Sequence, residues 1–134
     1  MNKLIIFTDG GARGNPGPAG IGAAIYDENN VMVAEISEYL GVATNNQAEY
    51  KALIAAISKA KQLGAKELDC YLDSELVVKQ LKREYKVKNK ELAPLFLSIH
   101  NLSLSFNKIS YTHIPREQNS EADRLANEAM DRGR

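Results

Sequence analysis

Four acidic residues stand at positions where a folded chain could use them for chemistry, although they lie far apart in the sequence. Asp9 and Asp73 each end a predicted strand, and Glu49 and Asp123 fall in the first turns of predicted helices. Clustered carboxylates without a histidine or cysteine set select hard cations such as Mg²⁺ or Mn²⁺. Two such ions about 3.5–4 Å apart can activate water and stabilise the leaving oxygen in phosphodiester cleavage. The four residues therefore predict a metal-dependent hydrolytic site.

Each of these residues also has an ordinary explanation when it is considered alone. Asp9 could belong to an Asp-Gly turn, Asp73 could cap a helix, and Glu49 and Asp123 could complement a helix dipole. Two carboxylates at the ends of neighbouring parallel strands, however, repel each other unless a cation lies between them. The metal hypothesis depends on the four side chains meeting in space.

The apolar run 4–7 predicts a central strand buried on both faces, because four apolar residues follow one another. Predicted strands follow at 21–26 and 31–39, and the short connection between them indicates an antiparallel hairpin. Further strands at 67–72 and 108–114 alternate with helices, as in right-handed parallel crossovers. In such sheets ligands gather outside the carboxyl ends of the strands, which is where Asp9 and Asp73 stand.

Four helices are expected, and a capping residue marks the start of three of them: Thr44, Ser74 and Ser120. The first runs to about Leu63 before Gly64, the second carries Val77, Val78 and Leu81, the third covers 92–104, and the last reaches about Met130. Glu49 lies one turn before Leu53 on nearly the same face of the first helix, which directs its carboxylate inward.

Length and charge favour a single domain, residues 1–134, with no long-range electrostatic preference. The chain has 17 basic and 17 acidic residues, so any nucleic-acid contact must come from a local patch. The densest basic run, 79–90, is the only sizeable candidate for phosphate contact. The single cysteine, Cys70, cannot form an internal disulfide and fits a reducing compartment. We expect a cytoplasmic monomer without a membrane segment, since the N-terminal apolar run is too short for a signal peptide.

Motifs along nearly the whole chain resemble those of type 1 ribonuclease H in order and spacing. They are Phe7–Gly11, Gly14–Pro18, Thr44–Glu49, Leu72–Ser74 and Glu121–Ala126. The resemblance implies an α/β fold with a five-stranded mixed sheet, in which strands 1–3 are antiparallel, strands 1, 4 and 5 are parallel, and helices cover both faces. It also implies an endonuclease that cuts the RNA strand of an RNA–DNA hybrid and leaves 5′-phosphate and 3′-hydroxyl ends. Its metal-binding catalytic set would be Asp9, Glu49, Asp73 and Asp123.

The resemblance further implies a set of contacts to the hybrid. They would come from the side chains of Asn15, Thr44, Asn45 and Ser74 and from the backbone of Gly10 and Gly11. Short amides, hydroxyls and bare backbone suit recognition of 2′-hydroxyls in a wide minor groove, so little sequence preference is expected.

His113, ten residues before Asp123, matches a histidine that assists proton transfer and product release in some members of the family. It runs into Ile114-Pro115-Arg116 instead of a glycine-rich loop, so a structural role is an alternative. Arg116 and Gln118 are alternative phosphate contacts.

The sequence departs from many family members in two respects. The basic run reaches Glu91 with no room for the extra helix and basic loop that grip the DNA strand elsewhere, and the chain has no tryptophan. How the DNA strand is held, and whether double-stranded RNA is also a substrate, are left open.

Three other functional classes fit the sequence less well. A binding module without catalysis would lack one of the acidic positions, and a DNA-directed nuclease of the same fold would carry extra DNA-binding segments. A nucleotide-binding enzyme needs a helix directly after the glycines, which Pro16 and Pro18 oppose.

Overall fold

The computed structural model describes residues 2–134, so of the predicted domain 1–134 only residue 1 lies outside the described residues. Five strands form a mixed sheet in the order β3-β2-β1-β4-β5. They are β1 (Lys3–Ala12), β2 (Gly17–Tyr26), β3 (Met32–Ala43), β4 (Glu67–Leu72) and β5 (Lys108–His113). Strands β1, β2 and β3 pair antiparallel, whereas β1, β4 and β5 pair parallel. This arrangement confirms the expected sheet.

Helices cover both faces of this sheet, as expected. They are α1 (Asn45–Gln62), α2 (Glu75–Leu81), α3 (Ala93–Ser103) and α4 (Ser120–Arg132), with a 3₁₀ turn at Arg116–Gln118. The main core joins α1, α2 and α3 to one face through residues such as Ile6, Leu53, Val77 and Ile99. Helix α4 packs on the other face, mainly against β2. No helix within residues 2–134 combines the length and the apolar character needed to cross a bilayer.

The prediction that β1 is buried on both faces is correct for one face only. Leu4, Ile6 and Thr8 are buried against the main core, but Ile5 and Phe7 on the opposite face are partly exposed. The reason is that α4 lies over β2 and leaves the opposite face of β1 only partly covered. Partly exposed Phe7 instead stacks on Tyr71 of β4, with ring centroids 5.1 Å apart.

The start of α1 is fixed by the capping box that the sequence predicts. The Gln47 backbone N–H donates to Thr44 Oγ1 (3.1 Å), and the Thr44 N–H donates to Gln47 Oε1 (2.8 Å). Ser74 caps α2 by accepting from the Val77 N–H (3.3 Å). The predicted cap at Ser120 is wrong, because Ser120 is the first residue of α4 and Asn119 occupies the cap position. The Asn119 side chain makes no capping bond, since it is engaged elsewhere.

Two glycines allow helices to lie directly on the sheet backbone. A Cβ atom at Gly10 would overlap the carbonyl group of Ala48 in α1, and one at Gly22 would overlap the carbonyl oxygen of Ala122 in α4. These contacts set the height of α1 above β1 and of α4 above β2. They therefore also set where Glu49 and Asp123 stand relative to the end of β1.

We expect the Gly22→Ala substitution to lower the free energy of unfolding by ~1–3 kcal/mol, because the added methyl group overpacks the β2–α4 contact. Urea denaturation followed by circular dichroism measures this change. Gly11→Ala is the matched control, since a Cβ there meets nothing nearer than Asn45 Oδ1 at 3.8 Å. Equal destabilisation by both substitutions would contradict the close β2–α4 contact.

Candidate active site

A cleft of about 440 Å³ lies at the C-terminal end of β1, and residues of α1 and α4 form part of its lining. All four acidic residues singled out in the sequence line it: Asp9, Glu49, Asp73 and Asp123. Parallel pairing between β1 and β4 stops at Thr8 and Leu72, so Asp9 and Asp73 follow the last paired residues of adjacent strands. The topology thus brings the acidic side chains to one edge of the sheet.

Three of the carboxylates form a compact group. One oxygen each of Asp9, Glu49 and Asp73 lies within 4.8 Å of the other two. Asp123 stands on the same cleft outside this group, and its Oδ1 lies 3.5 Å from Nη2 of Arg116. Its charge nevertheless contributes to raising the pKa of Asp9. The cleft therefore has an acidic centre of three residues with a fourth at its side.

Glu49 is the most deeply placed of these groups, with 7% of its surface exposed. Its Oε1 accepts a hydrogen bond from the Gly10 N–H (3.0 Å), and its Oε2 is buried without a partner among residues 2–134. Burial, followed by the charge of Asp9, raises the pKa of Glu49 well above its ordinary value. A buried carboxylate oxygen without a donor is costly unless a proton or a cation satisfies it.

Asp9 experiences the same environment. Burial raises its pKa to about 7, and the charges of Asp73 and Asp123 act in the same direction. Closely spaced carboxylates titrate in this way when no cation separates them. Three convergent carboxylates, one of them with an unpartnered buried oxygen, fit a hard divalent cation that takes oxygen ligands.

Asn119 is the functional candidate that the sequence analysis missed. Only 1% of its surface is exposed, and its Nδ2 donates to the Thr8 carbonyl (2.8 Å) and to Asp73 Oδ2 (3.2 Å). Asparagine before a helix is a common N-cap, and that signal could have assigned Asn119 to the cap position. Its contact with Asp73 joins residues 46 positions apart and has no local sequence signal.

Four of the six predicted substrate-contacting residues line the cleft, and several atoms of the set hold the fold together. Asn15 Oδ1 accepts from the Asn45 N–H (3.0 Å), and Asn45 Oδ1 accepts from the Ala12 N–H (2.8 Å). The two amides thereby tie the glycine-rich loop to the start of α1. Gly10, Gly11, Asn45 and Ser74 line the cleft, and Asn15 and Thr44 lie outside its lining.

Thr44 serves in the capping box of α1, and the Gly10 N–H is already bonded to Glu49. The hybrid contacts assigned to all six residues stay predictions.

His113 ends β5 and pairs in register with Leu72, the residue before Asp73. Its side chain is 40% exposed, and Nδ1 lies 4.0 Å from Glu75 Oε2. The cleft lining contains Arg116 but neither His113 nor Gln118. A catalytic role for His113 therefore stays a prediction.

Comparison with known proteins places these features in a family. Residues 7–129 match a family described as reverse transcriptase-like. The chain is 46% identical over 130 residues to a bifunctional protein of Mycobacterium tuberculosis, covering 96% of this chain and 36% of that protein. It is 42% identical over 129 residues to ribonuclease HI of Halobacterium salinarum, covering 96% of this chain and 65% of that enzyme. The chain thus spans only about a third of the first relative and just under two thirds of the second.

Solved structures agree closely with the fold. The N-terminal RNase H domain of the M. tuberculosis protein superposes with a TM-score of 0.94 at 46% identity, covering 96% of this chain and 99% of that one. LC11-RNase H1, whose source is compost, has been solved in complex with an RNA/DNA hybrid. It superposes with a TM-score of 0.92 at 46% identity, covering 96% of this chain and 97% of that one. The chain therefore belongs to the type 1 ribonuclease H family.

Proposed function

We propose that this protein is an endonuclease that hydrolyses the RNA strand of RNA–DNA hybrids and leaves 5′-phosphate and 3′-hydroxyl ends. The observation that carries the proposal is the convergence of Asp9, Glu49 and Asp73 within 4.8 Å beside Asp123. The similarity to ribonuclease HI of H. salinarum and to LC11-RNase H1, which binds an RNA/DNA hybrid, supports the same activity.

Asp9, Glu49, Asp73 and Asp123 would hold Mg²⁺ or Mn²⁺ in this cleft. Two such ions would activate the attacking water and stabilise the leaving oxygen. The chain's own contribution is to hold carboxylate oxygens towards the cleft before the cations arrive. Gly10 does so for Glu49 through its N–H. Arg116, 77% exposed on the same lining, adds a guanidinium that can contact a phosphate oxygen.

Selection of RNA would come from the loop beside the cleft. The side-chain oxygens of Asn15 and Asn45 are occupied by backbone donors. Their exposed NH₂ groups therefore remain to donate to 2′-hydroxyl oxygens, which distinguish RNA from DNA. None of these groups reads the edge of a base, so cleavage with little sequence preference is expected.

Substrate choice is the direct test. With Mg²⁺ or Mn²⁺ supplied separately, we expect the RNA strand of a labelled hybrid to be cut and duplex DNA and single-stranded RNA to remain intact, because the loop needs 2′-hydroxyls in a duplex minor groove. Gel analysis of the labelled strand, with end-group analysis, measures both specificity and end chemistry. Duplex RNA in the same assay decides whether it is a second substrate. Cleavage of duplex DNA without cleavage of hybrid would indicate a DNA-directed nuclease instead.

Asp9→Asn should lower hybrid cleavage by more than ~100-fold, which exceeds the usual loss for a residue that only supports a metal ligand. The substitution keeps the volume of the side chain and removes its charge, so the protein should stay folded. Asp69→Asn is the control: Asp69 pairs with Lys3 (2.7 Å) away from the cleft, and its loss should leave cleavage near the parent rate. Full activity of Asp9→Asn would exclude Asp9 from the site.

Without bound metal, the free energy of unfolding should depend on pH through the carboxyl group of Asp9. The pKa of Asp9 is raised from 3.8 to about 7, so the folded state holds a proton that the unfolded chain has lost. The stability that this proton contributes is complete below the unfolded pKa and is lost as the pH rises through the folded value. Without divalent ions, this group should therefore lower the free energy of unfolding by ~4 kcal/mol over this window.

Urea denaturation in EDTA across these pH values measures that fall, and Asp9→Asn should reduce it. Saturating Mg²⁺ at neutral pH should restore stability to the parent protein and less to Asp9→Asn. The Asp69→Asn control should retain the response of the parent. A parent protein whose stability rises over this pH range, or ignores Mg²⁺, would contradict the assignment of the cleft as a cation site.

A further inference from the structure

We propose that Asn119 is a positioning residue that fixes the Asp73 carboxylate for cation binding. This inference rests on the proposed function, since it concerns the same cleft. Asn119 lies behind the acidic group and does not line the cleft. Asn119 would therefore affect cation binding by orienting the Asp73 carboxylate.

The position of Asn119 links three of the elements that carry carboxylates. One Nδ2 group donates to the carbonyl of Thr8 in β1 (2.8 Å) and to Oδ2 of Asp73 after β4 (3.2 Å). The backbone carbonyl of Asn119 accepts from the Asp123 N–H at the start of α4 (3.1 Å). A single buried residue thus joins Asp73 to the strand that carries Asp9 and to the helix that carries Asp123.

The orientation of the Asn119 amide follows from its partners. The carbonyl oxygen of Thr8 can only accept, so the NH₂ group and not the amide oxygen must face it. Oδ1 is then left buried without a partner among the described residues. An unsatisfied buried acceptor costs about 1–3 kcal/mol. An amide kept at that cost, in contact with an acidic residue of the cleft, points to a role beyond stability.

A neutral donor is the suitable group for this role. Among the side-chain hydrogen bonds and ion pairs of residues 2–134, Asn119 provides the one donor to Asp73. Glu49 is held in a similar way by the Gly10 N–H. A lysine or arginine in this place would orient Asp73 but would also neutralise it, which would weaken cation binding. The Asn119 amide occupies Oδ2 and leaves the negative charge of Asp73 available to a divalent ion.

The test compares two variants with a matched control. Asn119→Ala removes the donor, and Asn119→Leu removes it while filling most of the space. Ile99→Ala removes a buried side chain of α3 from the core, so it lowers stability without touching Asp73. Titration of each protein with Mn²⁺, followed by isothermal calorimetry and electron paramagnetic resonance, gives the dissociation constant.

We expect the Mn²⁺ dissociation constant to rise about 10–100-fold in both Asn119 variants, the range for loss of a partner of a metal ligand. It should be unchanged in Ile99→Ala. In cleavage assays kcat should fall at limiting Mn²⁺ and recover at saturating Mn²⁺, where KM for the hybrid should match that of the parent because Asn119 does not face the substrate. Folded Asn119 variants with the parent Mn²⁺ affinity would overturn the proposal.

A measurement on the parent protein applies even if both Asn119 variants fail to fold. The side-chain NH₂ resonances of Asn119 should shift when Mg²⁺ binds, since their acceptor is a metal ligand. Those of Asn101, exposed on α3, should not. Resonances of Asn119 that stay fixed at saturating Mg²⁺ would overturn the proposal. If Mg²⁺ binds and the Asn119 NH₂ resonances shift as expected, but the hybrid is not cleaved, only the proposed function is refuted.

Discussion

Repulsion among carboxylates is the constraint on which the rest of this structure depends. Asp9, Glu49 and Asp73 are held within 4.8 Å of one another, although the chain could lower its electrostatic energy by letting them separate. Gly10 and Gly22 let α1 and α4 lie directly on the sheet, and the packing of these helices against the sheet keeps the carboxylates together. Burial, followed by the charges of the neighbouring carboxylates, raises the pKa values of Asp9 and Glu49 in this arrangement. Stability supplied by the hydrophobic core is used to maintain it.

The way each carboxylate is held is as informative as its position. Glu49 receives a backbone N–H and Asp73 receives a side-chain amide, both neutral donors. Hydrogen bonds of this kind fix direction without removing charge, so the cleft stays attractive to a cation. Asp123 differs, because its recorded side-chain partner is the exposed guanidinium of Arg116. An exposed ion pair is weak, and a phosphate could compete for Arg116. Glu49 and Asp73 are therefore each fixed by a neutral donor, whereas Asp123 is held by a weak, exposed ion pair.

Much of this site is predictable because strand ends and helix starts carry local signals. The apolar runs before Asp9 and Asp73 and the capping box at Thr44 locate three of the four carboxylates. The exposure of Ile5 and Phe7 was not predictable, since it depends on α4 lying over β2 instead of β1. Gly22 allows α4 to lie close to β2. In the sequence alone, a glycine within a strand indicates only a weaker strand. The sequence analysis missed Asn119 because its type and position indicate at most a helix cap, whereas its side chain contacts Asp73, which is distant in the sequence. The position of His113 outside the cleft lining depends on the geometry of β5 and its following loop, which spacing along the chain does not give.

The electrostatics of the cleft also couple the binding of cation and substrate. The chain has no net charge, so it exerts no general attraction on a polyanion. A phosphate brought towards Asp9 and Glu49 would meet the same repulsion that these groups exert on each other. Divalent ions in the cleft would reverse the sign of that interaction, and each ligand would then favour the other by the same factor. Under the proposed function, the arrangement that costs stability in the metal-free protein would thus also make hybrid binding depend on the metal.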